Sequence, residues 1–232
     1  SDAAASHGAP TRRYVAMAGG DARHTGQSPW TGPHEEPRIL WRVRTRRRIF
    51  ASPVIDDAGR AVFASLDGSV LAVDRVGVVR WAYAAPDRVF SAPAVTGELT
   101  VFGHDGDRVV AVDGRGRERW SFRTSADADA APVVGDDGTV YVASGEAAAL
   151  APDGTVRWSV PLRSHAFGAP ALSADGTLYV TELGGAVSLL RADNGATLRR
   201  VELPAPVHGG VMVLDDGAFV VGADDGHVRA FA

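Results

Sequence analysis

Val110-Ala-Val-Asp-Gly-Arg-Gly-Arg-Glu-Arg-Trp120 decides the fold, because it recurs along the chain. The chain reads Leu71-Ala-Val-Asp-Arg-Val-Gly-Val-Val-Arg-Trp81 before it and Leu150-Ala-Pro-Asp-Gly-Thr-Val-Arg-Trp158 after it. A fourth copy, Leu190-Arg-Ala-Asp-Asn-Gly-Ala-Thr-Leu-Arg-Arg200, keeps the turn but has Arg200 where Trp is expected. Trp41, Trp81, Trp120 and Trp158 follow one another at 40, 39 and 38 residues. A period near 40 residues marks a repeat architecture and must be read before any local element.

About a dozen residues after each Trp comes a small-residue phrase. These are Phe50-Ala-Ser-Pro53, Phe90-Ser-Ala-Pro93, Asp129-Ala-Ala-Pro132 and Phe167-Gly-Ala-Pro170, with a degenerate fifth, His208-Gly-Gly-Val211. Between landmarks the pattern is all β. In the third unit Ala131–Val134 is a short apolar run and Asp136-Asp-Gly138 is a turn, where Gly supplies positive φ. Thr139–Ala143 is β-branched and alternating, Ala147–Leu150 follows, and Val156–Val160 closes the unit after Pro152-Asp-Gly154. Four short strands per unit is the blade of a β-propeller. Helical periodicity is absent, and 27 Gly and 13 Pro are spaced too regularly to permit it.

The fold expected is therefore all-β, a single propeller of five four-stranded blades beginning near residues 49, 89, 128, 166 and 207. The fifth unit reaches Ala232 after three strands. A spare outer-strand phrase, Ile39-Leu-Trp-Arg-Val-Arg-Thr45, precedes the first. Residues 39–48 are expected to complete the last blade, closing the ring and removing an exposed edge. Residues 1–38 would form an irregular arm on the ring, with Pro29, Trp30 and Pro33 packing it down.

Composition excludes several classes. Zero Cys removes disulfides, thiol nucleophiles and thiolate metal sites. All 24 basic residues are Arg, so Schiff-base chemistry and the lysine of a phosphate-binding loop are absent. A net charge of −4 argues against nucleic acid as partner, and no apolar run is long enough to span a membrane. No Gly-x-Ser-x-Gly elbow and no His-Glu-x-x-His occurs.

The repeats resemble the PQQ-like (quinoprotein-type) β-propeller repeat, marked by Ala-x-Asp-x-x-x-Gly-x-x-x-Trp. Ala72, Asp74, Gly77 and Trp81 match it with one residue removed, and Ala111, Asp113, Gly116 and Trp120 match too. The lead-in from Met17 to Ser28, followed by Pro37-Arg-Ile-Leu-Trp41, is similar to the opening of bacterial secreted proteins of this type. The resemblance implies a secreted or periplasmic location. It covers residues 17–232 and is specific for fold; one fold hosts many functions. The quinone-dependent alcohol dehydrogenases of the family have eight blades, an adjacent-cysteine disulfide and an acidic-plus-Asn calcium site. This chain has no Cys and only Asn194, so PQQ is not expected. Similarity to the BamB type of outer-membrane assembly lipoprotein, likewise eight-bladed, implies a scaffold role.

In a propeller the loops entering the innermost strands, and those joining second and third strands, gather at one mouth of the central channel. The column three residues before the Pro reads Phe50, Phe90, Asp129, Phe167 and His208. Two positions earlier stand Arg48, Arg88, Asp127, His165 and Pro206. Loops between second and third strands add Asp67, His104, Asp105, Glu146, Glu182 and Asp224. A position that is aromatic in three blades and polar in two serves more than packing. Arg48, Phe50, Arg88, Phe90 and Phe167 are the expected ligand-binding set, the Arg forks facing an anion and the rings an apolar group. Asp127, Asp129, His165 and His208 are candidate metal ligands. Asp129, His165 and His208 are the candidate catalytic groups.

Two readings stay open. In the first, the protein is a non-catalytic scaffold or recognition module whose channel mouth takes a protein, a peptide or a small anionic ligand, as a monomer and without a cofactor. In the second, a metal- or His/Asp-assisted enzyme (hydrolase, lyase or isomerase) uses the same face. Convergence of Asp129, His165 and His208 on one spot separates them.

Overall fold

Each repeat unit folds into an antiparallel meander, and the turn residues read from the sequence make the turns. The computed structural model describes residues 17–26, 35–214 and 216–232. Pro29, Trp30 and Pro33 lie outside these residues, as does Asp215 of the fifth turn. The first blade contains β1 (Val54–Ile55), β2 (Ala61–Ala64), β3 (Ser69–Val73) and β4 (Val79–Ala84). The second contains β5 (Ala94–Thr96), β6 (Leu99–His104), β7 (Arg108–Val112) and β8 (Glu118–Arg123). The third contains β9 (Val133–Val134), β10 (Val140–Ala143), β11 (Glu146–Leu150) and β12 (Val156–Pro161). The fourth contains β13 (Ala171–Leu172), β14 (Thr177–Glu182), β15 (Ala186–Arg191) and β16 (Thr197–Glu202). The fifth has β17 (Met212–Val213), β18 (Phe219–Gly222) and β19 (Val228–Phe231). Strands pair in chain order within every sheet, and no helix occurs among the described residues.

Register repeats with the sequence. In the first blade Val62 faces both Val54 and Ala72, and Ala72 faces Trp81. A one-residue register shift falls at Ala72/Val73, Ala111/Val112, Ala149/Leu150 and Leu189/Leu190, the same place in four blades. Such a bulge adds twist and turns the outer strand away from the sheet plane. The middle strands are buried on both faces, as in β10 and β11, because neighbouring blades cover them. The outer strands instead alternate, so in β4 Trp81 points inward between exposed Arg80 and Ala82.

The Trp column docks each blade on the next. Trp41 lies over Gly77, Trp81 over Gly116, Trp120 over Gly154 and Trp158 over Gly195. All four glycines have positive φ in the turn before an outer strand. A methyl group on Gly154 would come within 2.6 Å of the Trp120 ring. The Trp120 and Trp158 indole N–H groups donate to the carbonyls of Pro152 and Ala192 in the following blade, at 2.9 and 2.8 Å. Arg200, the substitute in the fourth blade, turns back onto the buried carboxylate of Glu182 and the Ser188 hydroxyl.

The second device is the aspartate turn. Asp113 accepts hydrogen bonds from the backbone N–H groups of Arg115 and Arg117 and pairs with the Arg117 guanidinium. Asp56, Asp74 and Asp225 form the same Asp–Arg turn. The Thr139 hydroxyl, the Thr139 N–H and Arg157 hold the Asp137 carboxyl down at about 2.

Residues 17–26 tie the inner strands together. Met17 packs with Ala94 and Val133, the Ala22 carbonyl accepts from Leu172 N–H at 2.8 Å, and the Arg23 carbonyl accepts from Val213 N–H at 3.1 Å. This one segment touches the innermost strands of blades two to five. Residues 36–45 form no strand, and the fifth sheet has three strands among the described residues. The expected pairing of residues 39–45 with β19 is therefore not seen. Trp41 instead anchors this segment on the first blade through Gly77.

The glycine docking predicts unequal costs for equal substitutions. Gly154→Ala meets both positive-φ strain and the Trp120 ring, and should cost about 2–4 kcal/mol. Gly176→Ala has the strain alone, since its site is open within 4 Å, and should cost roughly 1 kcal/mol. Urea unfolding of the two variants measures the difference; equal costs would contradict the docking role.

Candidate functional site

The loops entering the innermost strands carry the mouth column to the channel. The Phe50 and Phe90 rings meet at 5.7 Å between centroids, and Phe90 meets Phe167 at 6.5 Å. Phe167 meets His208 edge-on at 6.1 Å. Asp129, the member from the third blade, has no ring, so Phe90 and Phe167 touch across its place. The four form a continuous row over the mouth rather than the walls of a pit. Phe50 is 62% exposed and Phe167 37%, which is unusual for side chains of this size.

Arg88 lies along this row. Its guanidinium carbon is 5.6 Å from the Phe90 centroid, and its Nε donates to Asp105 Oδ2 at 2.8 Å. Arg46, Arg47 and Arg48 are exposed at the rim. A shallow basin there is lined by Arg46, Arg47, Leu66, Asp67, Asp87 and Arg88. The Arg48 carbonyl accepts from Leu66 N–H.

The acids gather at the seam of the second and third blades. Asp105 lies in the turn between β6 and β7, and Asp127 and Asp129 in the connection from β8 to β9. Carboxylate oxygens of all three lie within 4.8 Å of one another. Burial raises the Asp129 carboxyl to about 7, helped by the charge of Asp105 and a hydrogen bond shared with it, then by Asp127, and opposed by Arg88. Burial likewise raises Asp127, with Asp105 and Asp107 adding to it.

The two histidines take separate places. His165 Nε2 is 2.9 Å from the Asp127 carbonyl and 4.0 Å from Asp129 Oδ2. A carbonyl cannot donate, so Nε2 carries the hydrogen and offers no lone pair to a metal. His208 Nδ1 pairs with the Asp224 carboxylate at 3.1 Å and stands against Phe167. The structure thus brings Asp127, Asp129 and His165 together and gives His208 a partner of its own.

The remaining loop acids are structural. Glu146 accepts from Ser125 N–H and its hydroxyl, and Glu182 from the N–H groups of Arg163 and Ser164. Each pins the chain segment entering its own blade. Asp67 does the same for Arg46, and His104 is buried against Gly106. Asp105 belongs to the acid cluster but to no sequence-based candidate set. Its signal lies in the repeat: Leu66, Asp105, Leu183 and Asp224 donate N–H to the carbonyls of Arg48, Arg88, His165 and Pro206, two residues ahead of the mouth column, and two of the four are acids.

The fold and this face define a β-propeller repeat protein of the PQQ-like type. The family profile described as outer membrane protein assembly factor BamB matches residues 34–142, 105–175 and 143–232, and the chain belongs to that family. No curated protein sequence matches it. The crystal structure of BamB from Moraxella catarrhalis is similar over 84% of this chain and 64% of that one, at 21% identity and a TM-score of 0.73. Quinohemoprotein alcohol dehydrogenase from Comamonas testosteroni is similar over 94% of this chain and 47% of that one, at 16% identity and a TM-score of 0.79. The computationally designed Ika8 protein aligns over 77% of this chain and 57% of its own, at 18% identity and a TM-score of 0.67. This chain spans roughly half to two thirds of these structures, and the likenesses show the fold.

The aromatic row offers no gap for a quinone cofactor. Phe90 is in ring contact with both Phe50 and Phe167, which leaves no slot for a flat polycyclic quinone between them.

The Arg88–Asp105 pair gives a direct test of the charge arrangement. Arg88→Ala leaves a buried carboxylate without its cation and should cost about 1–3 kcal/mol, the lower end reflecting a half-exposed Arg. Adding Asp105→Asn should recover most of that loss. A double variant as unstable as the sum of the single variants would contradict the pairing.

Proposed function

We propose that the chain is a non-catalytic binding propeller, a scaffold or recognition module, that takes an extended peptide or protein segment on its channel-mouth face. The observation that carries this reading is the row of exposed Phe50, Phe167 and His208 with half-buried Phe90 among them, rimmed by Arg46, Arg47, Arg48 and Arg88. Aromatic and Arg side chains are the residues that dominate protein interfaces, and an exposed apolar patch with a polar rim suits a docking surface better than a catalytic pit. The separation of His208 from Asp129 weighs against the His/Asp enzyme. Family membership supports a role beside outer-membrane protein assembly, and with it a secreted or periplasmic location. The partner would be a protein segment with alternating aromatic side chains and flanking acids, complementary to the rings and the Arg rim.

Fluorescence polarisation with labelled peptides of that pattern tests the proposal. The wild type should bind with a micromolar Kd. The double substitution Phe50→Ala/Phe167→Ala should weaken binding at least tenfold while leaving the fold intact by circular dichroism. Unchanged affinity in the folded double variant, or no binding by any peptide of the series, would overturn it.

A further inference from the structure

We propose that Asp105, Asp127 and Asp129 form a divalent-cation site of the calcium type at the seam of the second and third blades. The cluster is more than three neighbouring acids. The Asp105 side chain is 5% exposed and that of Asp129 is 9%. Asp105 Oδ1 and Asp129 Oδ1 are both buried and receive no hydrogen bond from a donor outside the acid cluster. A buried carboxylate oxygen without a donor is costly, and proteins offset it with a donor, a proton or a metal ion. The donors at hand are already engaged. Arg88 serves Asp105 Oδ2, and His165 gives its Nε2 hydrogen to the Asp127 carbonyl. Three carboxylates facing one Arg leave a local excess of negative charge, with Asp107 adding to it.

The ligand class follows from the atoms. Only carboxylate oxygens converge, since the His165 nitrogen facing the cluster carries a hydrogen. Hard oxygen sets select Ca2+ or Mg2+ rather than zinc or copper, and the flexible coordination of Ca2+ tolerates side chains from two blades more readily than the strict octahedron of Mg2+. The site would clamp the turn after β6 to the connection after β8, beside Arg88 and Phe90 at the mouth. It would hold together the part of the face where the aromatic row is interrupted. This inference is independent of the peptide-binding reading, because it needs no partner.

The test is calorimetry and thermal unfolding of the chelator-treated protein with Ca2+, with Mg2+ and with neither. One equivalent of Ca2+ should bind more tightly than Mg2+, and an excess a hundredfold over Kd should raise Tm by roughly 5–10 °C. Asp129→Asn and Asp127→Ala should each weaken Ca2+ binding at least tenfold, and His208→Ala should leave it unchanged. Asp127→Ala serves if the more buried Asp129 variant folds poorly. A folded wild type with neither binding heat nor Tm shift would overturn the proposal and leave the acids sharing a proton. Full Ca2+ affinity in Asp127→Ala would overturn it as well.

Discussion

A tryptophan ring pressed onto a turn glycine is the contact on which the rest of the molecule depends. Isolated four-stranded meanders of this size cannot bury their own faces, so stability has to come from the seams between blades. Trp81, Trp120 and Trp158 sit at one register position of successive outer strands, and each covers the positive-φ glycine of the next blade. Glycine is required twice over there, once by the backbone and once by the approaching ring. The recurring bulge before each outer strand aims the Trp, and the aspartate turns hold the glycine loop in shape. Spacing of the blades then fixes where everything at the channel falls.

Two consequences follow at the channel. Residues 17–26 occupy its inner-strand side, with Met17, Ala22 and Arg23 tying blades two to five. The mouth column is left to side chains that no longer pack a core. Phe50, Phe90 and Phe167 keep the repeat aromatic but sit at the surface, while Asp129 and His208 break the row and recruit charged neighbours. The polar substitutions come with partners: Asp105 with Arg88, and Asp224 with His208. Departures from the repeat, rather than the repeat itself, thus mark the face proposed for function.

Much of the fold was legible in the sequence. The Trp period, the Asp-Gly turns and the apolar runs placed the four strands of the third unit within a few residues of β9 to β12. The mouth columns were legible too, because a repeat converts sequence position into spatial position. The partners were not. Asp105 could be seen as a loop acid, but its contact with Asp129 spans two blades and depends on side-chain direction. His165 and His208 looked equivalent as residue types; a backbone carbonyl claims one and Asp224 the other. The Ile39–Thr45 phrase reads as an outer strand, and Trp41 does lie over Gly77 as an outer-strand Trp should. The ladder to β19 that this phrase leads one to expect is not formed among the described residues.

On the proposed reading the seams carry the structure and the mouth carries recognition. Exposed rings with an Arg rim supply contact area and orientation, which suits the proposed docking surface. Hydrogen exchange of the protein with and without a bound aromatic-rich peptide tests this division most directly. The account predicts added protection confined to segments 46–50, 87–90, 163–168 and 206–209. Protection at the outer strand β19, residues 228–231, with the mouth unchanged, would contradict it.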